Sequence, residues 1–196
     1  MIELRGVSKR FGTKRILDGV GLRLDVPGMA ALTGASGAGK TTVGRMLLGL
    51  DVDYEGEIRG VPDSRACVFQ EDRLLPQLTA AQNVQFVRPE LTREQMGEAF
   101  AALGLRGEVD SRVSELSGGM RRRVSILRAL LSGASFVVMD EPMKGLDAPI
   151  AREAARYIRE AMRGRTLLYI THALEEIEWM GISTVLRVEN GSIRRT

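Results

Sequence analysis

Residues 34 to 42 read GASGAGKTT, and no other run constrains the chain as much. The run fits G-x-x-x-x-G-K-[ST], with the apolar, strand-like Ala30 to Thr33 before it and a helical pattern from Thr41 after it. Gly34, Gly37 and Gly39 let the backbone bend so that successive N–H groups face phosphate oxygens. Ala35, Ser36, Ala38 and Thr42 complete the predicted cradle. The following helix adds its positive N-terminal end. Lys40 is expected to reach the β- and γ-phosphates, and the Thr41 hydroxyl to ligate Mg²⁺. The loop alone does not separate a kinase from a GTPase or an ATPase. Asn83 and Asn190 are the only asparagines, and neither belongs to a guanine-reading N-K-x-D, so the GTPase reading is weak.

Such a loop needs an α/β sheet around it, and the rest of the chain supplies the pattern. Short apolar runs rich in β-formers predict strands at Ile16 to Leu24, Ala30 to Thr33, Ala66 to Phe69, Phe136 to Met139, Leu167 to Ile170 and Val185 to Val188. Thr41 to Leu50 is predicted helical, with Val43, Met46, Leu47 and Leu50 on one stripe. A second helix carries Ile150, Ala154, Tyr157, Ile158 and Ala161, with Pro149 in its first turn and Gly164 as its stop. Thr92 and Gln95 form a capping box opening a third, which buries Met96, Ala99, Phe100 and Leu103. Strand–helix alternation at both ends argues for a parallel sheet. The expectation is one domain over 1–196: an α/β core from 1–71 and 133–196, and a helical insertion over 72–132.

Composition narrows the setting. Of 196 residues, 44% are hydrophobic, enough for a core and against disorder. The longest apolar stretches, such as Val26 to Gly39, are broken by Gly, Pro and Ser, short of the ~20 residues that cross a bilayer. MIELRG at the start carries no signal-peptide h-region. A cytoplasmic chain is expected, with any membrane role supplied by a partner. The single cysteine, Cys67, excludes an intramolecular disulfide. It lies in the apolar run ACVF and reads as a buried, inert thiol. Net charge is only +3. The triplet Arg121, Arg122 and Arg123 opens a helical stretch and reads as a solvated face, so no nucleic-acid partner is expected.

Two further motifs carry chemistry. Phe136 to Met139 is apolar on both faces, as in a central parallel strand, and ends in Asp140 and Glu141. Chemistry in such sheets sits at the carboxyl ends of strands. Successive side chains point oppositely, so Asp140 can face the Mg²⁺ shell and Glu141 an attacking water. Leu116 to Gly119 reads LSGG. Ser117 is a good N-cap, and Gly118 and Gly119 leave a helix N-terminus bare enough for an anion to approach.

The phosphate loop, VFQ at 68–70, LSGG, the apolar run with its acidic pair, GLD at 145–147 and ITH at 170–172 follow one another in one order. Together they resemble the ABC ATPases, and the resemblance covers essentially the whole chain. It implies a P-loop NTPase (RecA-like) core with a parallel sheet, a small antiparallel β-subdomain and an inserted helical subdomain. It implies ATP and Mg²⁺ as ligands. Phe11 resembles the aromatic that stacks on adenine. Gln70 resembles the glutamine that touches Mg²⁺ and the attacking water and senses the membrane partner. Ser117, Gly118 and Gly119 match the signature that clamps the γ-phosphate held by another subunit. Asp147 resembles the aspartate at the dimer interface, and also fits an N-cap. His172, placed just past a strand, resembles the histidine that contacts γ-phosphate and assists Glu141.

The segment VFQEDRLLPQLTAAQNV and LSGGMR are similar to the nitrate, sulfonate and taurine importer branch. That likeness implies membrane permease subunits, a solute-binding protein, a second copy or homologous ATPase subunit, and a place on the inner face of the cell membrane. Met120 stands where many members carry Gln, and Lys144 is untypical. Asp51 to Ala66 is short, so a trimmed β-subdomain is expected. With few residues after its last predicted strand, no C-terminal regulatory domain is expected. Two other readings stay open: an ABC ATPase acting on ribosomes or DNA, and a P-loop small-molecule kinase.

Overall fold

A computed structural model describes residues 1–196. The elements run β1 (Ile2–Phe11), β2 (Lys14–Leu24), β3 (Gly28–Thr33), α1 (Lys40–Leu47), β4 (Glu55–Arg59), β5 (Arg65–Val68), α2 (Ala80–Gln85), α3 (Arg93–Ala102), α4 (Gly118–Leu131), β6 (Phe136–Asp140), α5 (Ala148–Ala161), β7 (Thr166–Ile170), α6 (Leu174–Met180), β8 (Thr184–Glu189) and β9 (Ser192–Arg195). Two sheets result. One has the order β5-β6-β7-β3-β8-β9, the other β2-β1-β4. In the larger sheet β5, β6, β7, β3 and β8 are parallel, and β9 closes the edge antiparallel to β8. The smaller sheet is wholly antiparallel.

Strand period explains the layering. Along β6, Phe136 and Val138 join an apolar cluster with α1 and the antiparallel sheet, while Val137 and Met139 join a second cluster with α4, α5 and the helices between. The same alternation runs along β7, where Leu168 and Ile170 face one side and Leu167 and Tyr169 the other. Every residue of β6 and β7 is buried, as expected for parallel strands covered on both faces. Register then sets the site. Asp140 pairs with Ile170, and Leu32 also pairs with Ile170, so the carboxyl ends of β3, β6 and β7 lie level.

Several elements depart from the sequence expectations. β1 was not anticipated because Gly6, at φ 59, interrupts its alternation where the register shifts. β4 is short and polar (EGEIR), with little period to read. It supplies the third strand of the small sheet, which draws mainly on the first 24 residues. α1 stops at Leu47, with Gly49 at φ 74 just beyond it, so Leu50 lies off the predicted stripe and is 61% exposed. Residues 79–131 contribute α2, α3 and α4 and no strand to either sheet. α3 opens with both bonds of the Thr92–Gln95 capping box. Cys67 is only half-buried, and burial pushes its thiol pKa up. The arginine triplet is the clearest correction. Arg122 and Arg123 are buried, Arg122 to 3% exposure, because their guanidinium groups bond to backbone carbonyls rather than to water. No helix is long and apolar enough to cross a membrane.

Candidate functional site

The phosphate-loop segment connects the carboxyl end of β3 to α1. Gly39 precedes the helix at φ 105, where a Cβ would stand 2.5 Å from Ile16 Cγ2. Gly34, at φ 140, lies so close to β8 that a Cβ would meet the Val188 carbonyl at 2.5 Å. Only glycine fits both places. Thus α1 begins without a side-chain cap or an acidic residue in its first turn, leaving its first N–H groups free for an anion. Lys40 is buried, and its Nζ donates to the Gly34 and Ala35 carbonyls at 2.8 and 2.9 Å. Ala35, Ser36 and Gly37 are exposed, with Ala38, Gly39, Thr41 and Thr42 half-buried.

Across the sheet, the Thr41 hydroxyl donates to Asp140 Oδ2 at 2.6 Å. Asp140 is 4% exposed, and its other oxygen, Oδ1, is buried with no hydrogen-bond partner. A buried anionic oxygen beside a threonine oxygen is a donor set suited to a hard divalent cation. No trio of His, Cys, Asp or Glu side chains gathers anywhere in the chain, so phosphate oxygens and water would complete the shell of Mg²⁺. Gln70 is exposed and lines a 110 Å³ cavity together with Thr41, Asp140, Arg45 and Phe69.

One residue on, Glu141 adopts φ 49. Pro142 behind it disfavours the right-handed helical region, and the left-handed conformation costs about 1–3 kcal/mol. Three backbone bonds hold it there. Glu141 N donates to Ile170 O at 2.8 Å, Arg122 Nη2 to Glu141 O at 2.6 Å and Lys144 N to Glu141 O at 3.1 Å. The side chain is 16% exposed and its Oε1 sits 3.1 Å from His172 Nδ1, while Oε2 lies 3.8 Å from Lys144 Nζ. His172 is itself 71% exposed. Its turn is anchored from below: the Tyr169 hydroxyl donates to Glu176 Oε2 at 2.8 Å, tying β7 to α6. Burial, reinforced by the Glu176 carboxylate, holds the Tyr169 pKa well above its ordinary 10.

The remaining predicted residues stand apart. Phe11 ends β1, 54% exposed, with Lys9 Nζ 4.8 Å from its ring centroid. The Lys9 ammonium is buried and bonded to Asp51 at 2.8 Å, and that bond raises its pKa. Ser117 caps α4 by accepting from Met120 N at 3.3 Å. Ser117 and Gly118 are exposed, Gly119 half-buried, and no hydrogen bond joins 117–119 to 34–42. A Cβ on Gly119 would lie 3.5 Å from Leu146, so the signature run packs beside the segment leading to Asp147. Asp147 occupies the N-cap of α5 and is exposed, yet its side chain makes no capping bond. The structure therefore brings Lys40, Thr41, Asp140, Glu141, Gln70 and His172 to one edge, and leaves Phe11, Asp147 and 117–119 off it. The Tyr169–Glu176 pair is not singled out by the sequence, and Arg122 reads there only as part of a solvated face. An arginine beside two others carries no sign of burial, and a phenol's partner across a turn leaves no period.

Comparison with known proteins gives a consistent set of relatives. A family model described as ABC transporter matches residues 17–144. The Fe(3+) ions import ATP-binding protein FbpC of Escherichia coli O157:H7 is 34% identical over 98% of this chain and 60% of its own length. The aliphatic sulfonates import ATP-binding protein SsuB 1 of Pseudomonas syringae pv. syringae (strain B728a) is 34% identical over 90% of this chain and 76% of its own length. The chain thus spans about 60% of the length of the FbpC relative. Among solved structures, the dimeric post-hydrolysis state of the ATP-binding cassette MJ0796 bound to ADP and Pi superposes with a TM-score of 0.87 at 24% identity, over 100% of this chain and 98% of the other.

Proposed function

The chain belongs to the ABC transporter family, and on that premise we propose that it is the ATP-binding, ATP-hydrolysing subunit of an importer, working as a nucleotide-sandwich dimer against membrane permease subunits. Import rests on the relatives, whose names describe iron and aliphatic-sulfonate import. A solute-binding protein would deliver the cargo, and the chain would lie on the cytoplasmic face. Residues 72–132 are the proposed helical subdomain, with its exposed ground near Gln70 receiving the permease.

The observation that carries the reading is the meeting of the Thr41–Asp140 pair, with its orphaned carboxylate oxygen, and the Glu141–His172 pair at one sheet edge. In this reading Phe11 stacks on adenine. The N–H groups from Gly34 to Thr42 cradle the phosphates, and Lys40 exchanges its two carbonyl bonds for β- and γ-phosphate oxygens. Thr41 and Asp140, with Gln70, hold Mg²⁺, which when bound neutralises charge developing on the phosphates. Glu141 accepts the proton of the attacking water, and His172 orients Glu141 and steadies the γ-phosphate. Ser117, Gly118 and Gly119 of the second copy close over that phosphate with Asp147 alongside. Loss of the γ-phosphate removes the bridge and lets the dimer open.

Glu141→Gln tests the assignment. The amide keeps every backbone bond that fixes φ at this position and removes only the base. Turnover is expected to fall about 10²–10⁴-fold, while ATP binding persists and ATP-bound dimers accumulate in size-exclusion chromatography. Near-normal hydrolysis in this variant would sink the role given to Glu141.

A further inference from the structure

Arg122 lies just over one turn inside α4, about 7.5 Å along the axis from the Ser117 cap at 1.5 Å per residue. Its side chain is 4% exposed, so its charge must be met within the protein. The fork is spent on two other segments. Nε donates to Pro142 O at 2.9 Å, and Nη2 to Asp140 O at 3.0 Å and Glu141 O at 2.6 Å. Nη1 donates to Phe69 O, to Gln70 O at 3.4 Å and to Asp72 Oδ1 at 3.4 Å. One planar group therefore binds the end of the hydrolytic strand on one side and the glutamine segment on the other, from the helix that presents the signature residues. Apart from the Asp72 carboxylate, both segments reach it through backbone carbonyls, which no side-chain swing can withdraw.

The consequence falls on Glu141. Its left-handed φ is unfavourable, and the Arg122 bond to its carbonyl is the shortest of those fixing it. We propose that Arg122 is the positioning residue of the hydrolytic site: it sets the Glu141 carboxylate and the Gln70 segment in one register, and carries movement of the signature end of α4 to both. Lysine cannot replace it, because an ammonium presents a point charge with three donors where the guanidinium offers five in a fixed fork. This inference rests on the proposed ATPase reading.

The test compares the wild-type chain with Arg122→Lys and Arg122→Met, each assembled with its permease partners. It measures kcat and KM for Mg-ATP, nucleotide affinity by equilibrium titration, and the melting transition. Misplacing a reacting group by about 1 Å costs roughly 100-fold in rate. Arg122→Met is therefore expected to lose about 10- to 100-fold in kcat, with nucleotide affinity within about twofold of wild type, since no phosphate-cradle contact involves Arg122. Arg122→Lys keeps the charge and the stem and so preserves the fold should Arg122→Met fail to fold. It is expected to recover only part of kcat. Wild-type kcat in the folded Lys variant overturns the proposal. So does a loss of affinity and kcat in parallel with melting temperature, which is what a merely structural arginine gives. A wild-type complex that does not hydrolyse ATP refutes the ATPase reading instead, whatever the variants do.

Discussion

Asp140→Asn separates what this carboxylate does for the bound nucleotide from what it does for the fold. Asp140 is 4% exposed, with one oxygen 2.6 Å from the Thr41 hydroxyl and the other buried without a partner. A buried polar atom left unpaired costs about 1–3 kcal/mol, and more when charged. Asparagine keeps an oxygen for Thr41 and sets a neutral NH₂ where the orphaned anionic oxygen stands. The ligand-free variant should therefore be more stable by about 1–2 kcal/mol, a melting shift of roughly 3–6 °C for a chain of this size. Mg-ATP reverses the order. At about 1,000 times its dissociation constant, a ligand adds about 4.1 kcal/mol to the wild type. If the missing charge weakens binding about 100-fold, the same concentration adds only about 1.4 kcal/mol to the variant. The wild type then leads by about 1 kcal/mol. Differential scanning fluorimetry with and without Mg-ATP reads both numbers, and chelating Mg²⁺ with EDTA should shrink the wild-type shift toward that of the variant. A variant that melts below wild type without nucleotide, yet shows an undiminished Mg-ATP shift, refutes the reasoning on both counts.

Phe11→Ala should weaken ATP binding by about 1–3 kcal/mol, the worth of one base stacked on an aromatic ring, and leave single-turnover hydrolysis unchanged. Fluorescent-nucleotide titration checks it, and equal affinities would remove Phe11 from the site. Tyr169 makes a pH-dependent contribution. Its folded pKa is raised above 10, chiefly by burial and then by Glu176, so the folded state keeps a proton that the unfolded chain surrenders. That stability is intact below pH 10 and is lost above it, at up to about 1.4 kcal/mol per pH unit. Tyr169→Phe should be destabilised at neutral pH by about 1 kcal/mol and should lose less stability than wild type between about pH 10 and 11. Urea titrations giving parallel slopes for the two proteins would rule that out.

What was legible in the sequence follows from where the signal lies. β6 and β7 read clearly because parallel strands buried on both faces are uninterrupted apolar runs. Lys40, Thr41, Asp140, Glu141 and His172 read clearly because each sits within a residue or two of such a strand or of the glycine loop. β1 carries no clear strand signal because Gly6 breaks its alternation, whereas β4 is a short polar segment with no period of its own, placed only by the resemblance that implies a trimmed β-subdomain over Asp51 to Ala66. Arg122 was misread for a deeper reason. Its burial depends on carbonyls from residues 69–70 and 140–142, which no local pattern in 121–123 encodes. The capping box of α3 is wholly local, and so it was found.

The two helix N-termini of the proposed site differ in a way that bears on how hydrolysis would open the dimer. The cradle at α1 already has a cation inside it, since Lys40 is satisfied by the Gly34 and Ala35 carbonyls. Binding phosphate there exchanges one set of bonds for another, and the loop keeps its shape through Gly34 and Gly39 whether or not the γ-phosphate is present. At α4 the cap is exposed, with no acidic residue in the first turn and no bond to the cradle of its own chain. In the proposed dimer its N–H groups would lose hydration only when a second chain's phosphate arrives. Charge-assisted hydrogen bonds of that kind are worth about 1.5–3 kcal/mol each. Two of them released together with the γ-phosphate amount to about 3–6 kcal/mol, a change of more than 100-fold in a dimer equilibrium. In the proposed cycle the cradle would hold ADP while the signature lets go, so opening would be governed by α4, the helix that Arg122 fastens to Glu141.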